Sequence, residues 1–332
     1  MSATNYVVIT SINPPTKAVD SFSQLQNWQT IVVGDRKTPE PWQWPNVIFI
    51  GVEQQIELPF LVYRDLSWNH YSRKMLGYLI AISQGATVIF DTDDDNIPKS
   101  EWHVPPFDLV AEVLSCDSRW VNIYRRFSDL PIWPRGFPLK RLLRDDSLPT
   151  SGVLTKRAVK VGVWQALADG DPDVDAIYRL TDNTPCYFDD RAPVVLAPGT
   201  ACPFNSQVTA FRRELFPLLY IPSTVTFRFT DILRGLIAQP IMWAAGYSMG
   251  FLGATVVQER NAHDYLKDFE SEIPCYLFSE TVLDIATNKV KTTASMTANL
   301  LAVYAELVIQ NIVQPAEMKI LANWLADLER IG

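Results

Sequence analysis

Short apolar runs alternate with polar turns through the N-terminal third of the chain. Residues 6–10, 30–34, 46–51 and 87–90 are mostly apolar, and each run ends at or next to Ser, Gly or Asp. Runs of this length, bounded by turn residues, predict buried strands rather than helices. This part of the chain is therefore predicted to supply four strands of a sheet.

One amphipathic helix is predicted between the third and fourth of these strands. Apolar residues recur at helical spacing from about Tyr71 to Gln84, and Gly85 is a typical C-terminal stop. The alternation of strands and crossovers predicts a parallel, doubly wound sheet. Ligands of such sheets bind beyond the carboxyl ends of the strands, where Asp35 and the acidic residues after Phe90 both lie.

The rest of the chain changes character twice. Residues 102–203 are rich in Pro, Asp and aromatic residues and weak in periodicity, which predicts long loops with short elements. Regular structure then returns, with a helix at about 230–243 and a strand near 253–257. The C-terminal end carries two apolar stripes at helical spacing, separated by Pro315.

Composition excludes some classes of function. The chain has 332 residues, with 29 Lys and Arg against 37 Asp and Glu, and a formal net charge of −8. A broadly basic surface for nucleic acid is therefore not expected. The four cysteines form no C-x-x-C pair and are too few for a disulfide scaffold.

No segment predicts membrane insertion. The N-terminus has no basic region before its first apolar run, so a signal peptide is not expected. The uncharged segment 235–257 is interrupted by Gln239, Pro240 and Ser248, and it predicts a buried helix, a glycine turn and a buried strand. We expect a soluble cytoplasmic protein that acts free in solution or near a membrane; the alternative is a domain of a longer membrane protein.

An acidic cluster, Phe90-Asp-Thr-Asp-Asp-Asp-Asn96, follows the fourth strand. Like charges this close repel one another unless a cation lies among them, and carboxylate oxygens suit Mg²⁺ or Mn²⁺. The alternative is a solvated acidic turn. The position after a buried strand favours metal binding, because the exit loop then faces the ligand crevice.

The acidic cluster resembles the Asp-x-Asp element of nucleotide-sugar glycosyltransferases with the GT-A fold, and longer motifs accompany it. They are Val32-Val-Gly-Asp-Arg-Lys-Thr-Pro39, Trp68-Asn-His70, Arg73-Lys-Met-Leu-Gly-Tyr78, Val88-Ile-Phe-Asp-Thr-Asp-Asp-Asp-Asn96, Gly170-Asp-Pro-Asp-Val-Asp-Ala-Ile-Tyr-Arg-Leu180, Pro203-Phe-Asn-Ser-Gln207, Phe227-Arg-Phe-Thr-Asp-Ile-Leu-Arg-Gly235 and Gln258-Glu-Arg-Asn-Ala-His-Asp264. Together these motifs resemble the STELLO family of glycosyltransferases. The plant STELLO proteins are Golgi membrane proteins, whereas this sequence predicts no membrane span.

A more distant likeness is to the plant reversibly glycosylated polypeptides, which include UDP-arabinose mutases. It rests on the strand end at Asp35, on Gly77-Tyr78, on the triple Asp and on Arg135-Gly-Phe-Pro138. In those proteins the matching arginine is the glycosylated position.

The resemblance implies an α/β fold of the GT-A type. We expect a doubly wound, mostly parallel sheet flanked by helices, with a C-terminal helical extension. Residues 1–280 would form the glycosyltransferase domain, with a nucleotide-binding half at about 1–100 and an acceptor half at about 101–280. Residues 281–332 would form the helical segment, to which no family motif could be matched.

The resemblance also implies a donor site with a metal ion. Asp93 and Asp95 would hold Mn²⁺ or Mg²⁺ against the diphosphate of a UDP-sugar, and His263 would be a third ligand. A structural role is the alternative for His263, and a solvated surface position is the alternative for the basic residues. The residues predicted to contact the donor are Asp35, Arg36, Lys37, Arg73, Lys74 and Asp94.

Three carboxylates are candidates for the acceptor side. Asp231 begins the helix predicted at 230–243 and would take the proton from an acceptor hydroxyl, unless it is only a helix cap. Asp173 and Asp175 alternate along an extended segment, which would place both on one side, unless they form a solvated turn. Arg135, fixed by neighbouring Gly and Pro residues, would pair with diphosphate or itself carry the sugar.

These residues favour a metal-dependent glycosyltransferase that moves a sugar from a UDP-sugar to a hydroxyl of a glycan or another acceptor. One alternative is a nucleotide-sugar mutase, which would need Arg135 or an equivalent in the site. A second is a non-catalytic partner of a glycan-synthesis complex, docked through the C-terminal stripe unless that stripe packs in the core. A homo-oligomer is also open. A third is a metal-dependent phosphohydrolase, which would release phosphate without transferring sugar.

Overall fold

The computed structural model describes residues 4–259 and 264–332. Its strands are β1 Asn5–Thr10, β2 Trp28–Val33, β3 Val47–Ile50, β4 Val88–Thr92, β5 Asn96–Pro98, β6 Asp108–Ser115, β7 Val153–Asp169, β8 Val194–Leu196, β9 Val208–Arg212 and β10 Ser248–Gln258. Its α-helices are α1 Lys17–Ser23, α2 Val52–Ile56, α3 Lys74–Ser83, α4 Tyr124–Phe127, α5 Ala176–Thr181, α6 Thr230–Ala244, α7 Tyr265–Lys289, α8 Met296–Ile309 and α9 Glu317–Ile331. The strands of this part of the chain form one sheet, in the order β3-β2-β1-β4-β9-β7-β6-β8-β10-β5. The predicted α/β class, with flanking and C-terminal helices, is confirmed.

The first four strands, all predicted, form the parallel part of the sheet. β1 pairs in parallel with β2 and β4, and β2 pairs in parallel with β3. Gly77 lets α3 lie directly on β1, because a Cβ at Gly77 would be 2.6 Å from Val8 Cγ1. The polar residues that follow β1, β2 and β4 therefore meet at one edge of the sheet.

The remainder of the sheet is mixed. β9 is antiparallel to β4 and β7, while β7 also pairs in parallel with β10 and antiparallel with β6. The prediction of long loops with short elements is therefore wrong for β6 and β7. The N-terminal half of β7 is exposed and carries Lys156, Arg157 and Lys160. It therefore lacks the alternation of apolar and polar residues that is typical of a half-buried strand.

The C-terminal helices pack into the main core of the protein. Val282 of α7, Tyr304 of α8 and Trp324 of α9 are buried in the same hydrophobic cluster as Leu79 of α3. The boundary predicted at residue 280 falls inside α7. α7 and α8 pack against α6, and α9 packs against α3, so burial of these large side chains joins the C-terminal helices to the other helices of the fold.

Two buried carboxylates of α9 bind backbone groups elsewhere in the chain. Glu317 accepts hydrogen bonds from the N–H groups of Ser223 and Thr224, at 3.0 and 2.8 Å. Asp327 accepts hydrogen bonds from the N–H groups of residues 61 and 62, at 2.8 and 2.9 Å. Buried N–H groups need hydrogen-bond acceptors, and α9 supplies them to two loops of the main body.

The uncharged segment 235–257 folds as predicted. α6 ends at Ala244, Gly246 turns with a φ of 81°, and β10 then enters the sheet. Across the two described ranges, no helix combines the length and the apolar character that a membrane crossing requires.

Candidate active site

A cleft of about 650 Å³ opens where β1, β2 and β4 end. The predicted site residues in its lining are Asp35, Lys37, Arg73, Asp93, Asp94, Asp95, Arg135, Asp173 and Asp231. Arg36, Lys74 and Asp175 do not contribute to the lining. His263 lies outside the residues that the structure describes.

Lys74 is a buried counter-ion of the acidic cluster. Its side chain has no exposed surface, and Nζ lies 2.7 Å from Asp91 Oδ1 and 3.1 Å from Asp93 Oδ1. Nζ also donates to the Thr92 carbonyl at 2.6 Å and to the Tyr71 hydroxyl at 2.9 Å. Burial alone would lower the pKa of Lys74, but the two carboxylates raise it above its ordinary value. With its donors taken by protein oxygens, Lys74 supports the acidic loop instead of reaching a phosphate.

Asp91 lies between two cations. Arg234 Nη1 of α6 lies 2.9 Å from Asp91 Oδ2, opposite the contact with Lys74. The Asp91 and Arg234 side chains are 0% and 2% exposed. A buried charge is stable only when it is paired, and the two ion pairs of Asp91 join β4 to α3 and α6. The other three carboxylates of the acidic cluster line the cleft.

Asp93 has an oxygen suited to a metal ion. Its Oδ1 accepts hydrogen bonds from the Tyr71 hydroxyl at 2.7 Å and from Lys74 at 3.1 Å. Its Oδ2 accepts none from the described part of the chain, and the side chain is 34% exposed. Burial raises the pKa of Asp93, and Lys74 and Tyr71 oppose that rise. A carboxylate oxygen in this position fits a hard divalent cation.

Asp94 and Asp95 connect the acidic cluster to neighbouring loops. Asp94 Oδ2 accepts hydrogen bonds from Asn13 Nδ2 at 3.0 Å and from the Ser11 hydroxyl, which fixes the loop after β1. Asp95 Oδ2 accepts a hydrogen bond from Gln258 Nε2 at 3.0 Å, at the end of β10. The acidic cluster is therefore held from both sides.

Asp35 and Lys37 line the cleft at the end of β2. Asp35 Oδ1 accepts the backbone N–H of Arg36 at 2.7 Å. His70, which also lines the cleft, caps the short 3-10 helix Tyr71–Arg73 through Nδ1. Burial lowers the pKa of His70, with Asp35 in partial opposition, so the ring is neutral near pH 7.

The Trp68 ring contacts two of the predicted cationic residues. Arg73 Cζ lies 3.6 Å and Arg36 Cζ lies 4.8 Å from the ring centroid. Arg73 also donates from Nε and Nη2 to Gln55 Oε1, at 2.7 and 2.5 Å. Burial lowers the pKa of Arg73 to about 10. Arg73 is therefore a supporting residue of the cleft wall, and Arg36 is exposed beside it.

A second ion cluster of the cleft is built around Arg135. Its Nε and Nη2 donate to the two oxygens of Asp173 at 2.8 and 2.7 Å. Its Nη1 and Nη2 donate to the two oxygens of Asp231 at 3.0 and 2.9 Å. Burial alone would lower the pKa of Arg135, but the two carboxylates raise it well above its ordinary value. A guanidinium held by two bidentate pairs is a poor nucleophile for a sugar, and its donors are not available to diphosphate.

Gly136 places Arg135 against α6. Its φ is 84°, a left-handed conformation that favours glycine. A Cβ at this position would lie 2.4 Å from Ile232 Cγ2. The backbone N–H of Arg135 donates to the Asp173 carbonyl at 3.0 Å, so main chain and side chain join the same two segments.

Asp231 accepts four hydrogen bonds. Two come from Arg135, and two come from the backbone N–H groups of Ile232 at 3.0 Å and Ser206 at 3.2 Å. A carboxylate has about four acceptor sites, so a substrate hydroxyl must replace one of these donors. The N-cap of α6 is Phe229, so the alternative that Asp231 is the helix cap is wrong.

Asp173 and Asp175 lie in different environments. Asp173 lines the cleft, whereas Asp175 is the N-cap of α5 and accepts hydrogen bonds from Tyr178 N at 3.0 Å and Trp133 Nε1 at 2.7 Å. The prediction that both share one side is wrong. A tight turn between residues 172 and 174, with a 2.8 Å hydrogen bond, breaks the alternation of the extended chain. Burial raises the pKa of Asp175 to about 6.

Arg228 and Glu272 extend the second ion cluster, and the sequence analysis assigned neither a role. Arg228 donates from Nε and Nη2 to Glu272 Oε1, at 2.9 and 2.7 Å, and Nη2 lies 3.7 Å from Asp173 Oδ1. Arg228 stands in a motif that carries the family resemblance, so a signal existed. Glu272 lies fully buried within α7, where a single carboxylate gives no motif.

One solved structure similar to this chain is glucosyl-3-phosphoglycerate synthase from Mycobacterium tuberculosis, in complex with Mn²⁺ and uridine-diphosphate-glucose. The match covers 83% of this chain and 78% of that chain, with 12% identity and a TM-score of 0.38.

Sequence comparisons give closer likenesses. The family model for STELLO glycosyltransferases matches residues 228–332. The probable glycosyltransferases STELLO1 and STELLO2 of Arabidopsis thaliana are each 27% identical to this chain over 98% of its length. The alignments cover 44% and 45% of those relatives, so the chain spans less than half of their length. The resemblance to the STELLO glycosyltransferases that the motifs predicted is confirmed.

Proposed function

We propose that this chain is a metal-dependent glycosyltransferase that moves a sugar from a UDP-sugar to a hydroxyl of a glycan acceptor. One observation carries the proposal. The acidic residues after β4, which we assign to the donor, and the cluster of Arg135, Asp173 and Asp231, which we assign to the acceptor, line the same cleft. The kinship with STELLO1 and STELLO2, both called probable glycosyltransferases, supports it.

The donor side fits a divalent cation held jointly by protein and substrate. Asp93 and Asp95 would hold Mn²⁺ or Mg²⁺, which supplies Lewis-acid stabilisation of the departing nucleoside diphosphate. Among the described residues, no group of three or more His, Cys, Asp or Glu side chains could enclose a metal. One or two carboxylates completed by substrate phosphates and water is a usual arrangement for Mg²⁺.

The chain's own residues would then have distinct tasks. Tyr71 and Lys74 hold Asp93 in place, and Asp35, which lines the cleft after β2, would contact the uridine. Asp231 would accept the proton of the acceptor hydroxyl after that hydroxyl replaces one of its four donors. Arg135 and its second partner, Asp173, would keep Asp231 in position during the exchange.

Calorimetric titration of UDP, GDP and CMP tests the donor site, first with Mn²⁺ and then with EDTA. We expect UDP alone to bind, and only with the metal. UDP-sugars that bind would then be incubated with glycan acceptors, and transfer would be measured against release of free sugar. Binding of no nucleotide under either condition would contradict the proposal and favour the role of an assembly partner.

A further inference from the structure

Phe227 is an exposed aromatic residue in a cleft lined mainly by polar and charged side chains. Its side chain is 53% exposed and contributes to the cleft lining. Ile12 is the other large apolar lining residue with comparable exposure in the described chain, at 51%, and it lies on the loop after β1. An aromatic ring left open among polar groups is typical of a binding site that fixes a partly apolar ligand.

Neighbouring rings and backbone contacts hold Phe227 in place. The rings of Tyr71 and His70 approach it edge-on, with centroid distances of 5.7 and 6.4 Å. The carbonyl of Phe227 accepts a hydrogen bond from the Thr230 hydroxyl at 3.0 Å, and the Thr226 hydroxyl donates to the Ser271 carbonyl at 2.6 Å. The ring is therefore presented by a fixed segment rather than by a loose loop.

The position of Phe227 relates the two charged clusters of the cleft. Tyr71, which contacts its ring, donates to Asp93 Oδ1 at 2.7 Å. The backbone carbonyl of the next residue, Arg228, accepts a hydrogen bond from Arg135 Nη1. Asp231 follows in the first turn of α6. Phe227 is thus linked through Tyr71 to the predicted metal carboxylate, and it lies four residues before the candidate base.

We propose that Phe227 is the binding residue for the acceptor, and that its ring packs against the apolar face of a sugar ring. The inference rests on the proposed function and names the acceptor class as a carbohydrate. A sugar has a C–H face that suits an aromatic ring and a rim of hydroxyl groups that suits the surrounding charged side chains. Phe227 and Asp231 line the same cleft, so a sugar held on Phe227 is offered to the carboxylate that is to accept its proton.

Saturation-transfer NMR on the full chain with UDP and Mn²⁺ tests this. The probes are the methyl α- and β-glycosides of glucose, galactose, mannose and xylose, together with cellobiose and lactose. At least one should receive saturation on its ring C–H protons. Phe227→Ala should weaken its binding about five- to tenfold, and Phe227→Tyr should stay within about twofold of the wild type. Tyr187→Ala is the matched control, because Tyr187 is 70% exposed and does not line the cleft.

UDP and UDP-glucose titrations of the same proteins separate the outcomes. If the wild type binds UDP with Mn²⁺ but none of the sugars, or if Phe227→Ala binds them as the wild type does, the role of Phe227 is overturned and the donor site stands. Weaker UDP binding in Phe227→Ala would indicate that the ring contacts the nucleotide. Weaker UDP-glucose binding with unchanged UDP binding would indicate that the ring contacts the donor sugar. Either result overturns the acceptor assignment. A wild type that binds no UDP overturns the proposed function itself.

Discussion

Arg135 and Asp231 are joined by two parallel hydrogen bonds, Nη1 to Oδ1 at 3.0 Å and Nη2 to Oδ2 at 2.9 Å, across 96 residues of sequence. The same guanidinium binds Asp173 through two further hydrogen bonds. Three distant segments of the chain therefore depend on one cation, and its removal would take the bidentate cationic partner from two buried carboxylates.

Arg135→Met should lower the free energy of unfolding by about 3–5 kcal/mol, the usual cost of removing one partner from a buried ion pair. Urea unfolding followed by circular dichroism measures this. Arg191→Met is the control, because Arg191 pairs with Asp189 at the surface, where the side chains are 42% and 49% exposed. The control should change stability by less than about 1 kcal/mol, and equal losses in the two variants would contradict the prediction.

Asp93→Asn combined with Asp95→Asn should weaken Mn²⁺-dependent UDP binding by more than about tenfold, because amide oxygens bind divalent cations less strongly than carboxylates. Calorimetry measures the affinity, and thermal melting verifies that the variant is folded. Asp189→Asn removes an exposed carboxylate elsewhere and should bind UDP as the wild type does. Unchanged UDP affinity in a folded double variant would refute the metal assignment.

Asp175 should make stability depend on pH. Its folded-state pKa of about 6 lies above the ordinary value of 3.8, so between these values the folded protein binds the proton more readily than the unfolded chain. The stabilising effect is complete below the lower value and is lost as pH rises towards 6. Asp175→Asn cannot lose a proton, and its stability relative to the wild type should rise by about 2 kcal/mol between about pH 4.5 and 7.5.

Urea unfolding of the wild type and Asp175→Asn at both pH values gives this difference directly. Asp189→Asn serves as the exposed control and should show no comparable rise. A stability difference that stays constant with pH would mean that the Asp175 carboxyl titrates alike in the folded and unfolded chains.

Glu317→Gln should destabilise the protein by about 2–4 kcal/mol, because an amide replaces one acceptor oxygen by a donor facing other donors. Glu317 accepts from Ser223 N, Thr224 N and the Thr224 hydroxyl, the last at 2.6 Å. Urea unfolding measures the loss, and limited proteolysis should cut the C-terminal helices faster. The exposed Glu329→Gln variant is the control, and matching behaviour of the two would refute the role of Glu317.

The sequence predicted the parts of the fold whose signal is local. Short apolar runs mark the four N-terminal strands, and apolar residues in α3, α6 and the two final helices mark these helices. β7 was missed because its N-terminal half is exposed and lacks an apolar pattern. The prediction that Asp173 and Asp175 lie on one side of the chain was wrong because a tight turn reorients the chain between them.

The prediction of the site was limited in the same way. The acidic residues after β4 could be placed in the cleft because a strand end fixes their position. Lys74 was predicted to contact the donor, yet tertiary packing buries it against Asp91 and Asp93. Glu272 could not be found at all, because its importance arises only when α7 brings it to Arg228.

The ion pair between Asp91 and Arg234 has a consequence for motion. This buried pair joins β4, from the predicted nucleotide-binding half, to α6, from the predicted acceptor half. A hinge between the halves would have to separate two fully desolvated charges, which is costly. The junction between the two halves should therefore be preorganised, and any closure over a substrate should come from loops at the mouth of the cleft.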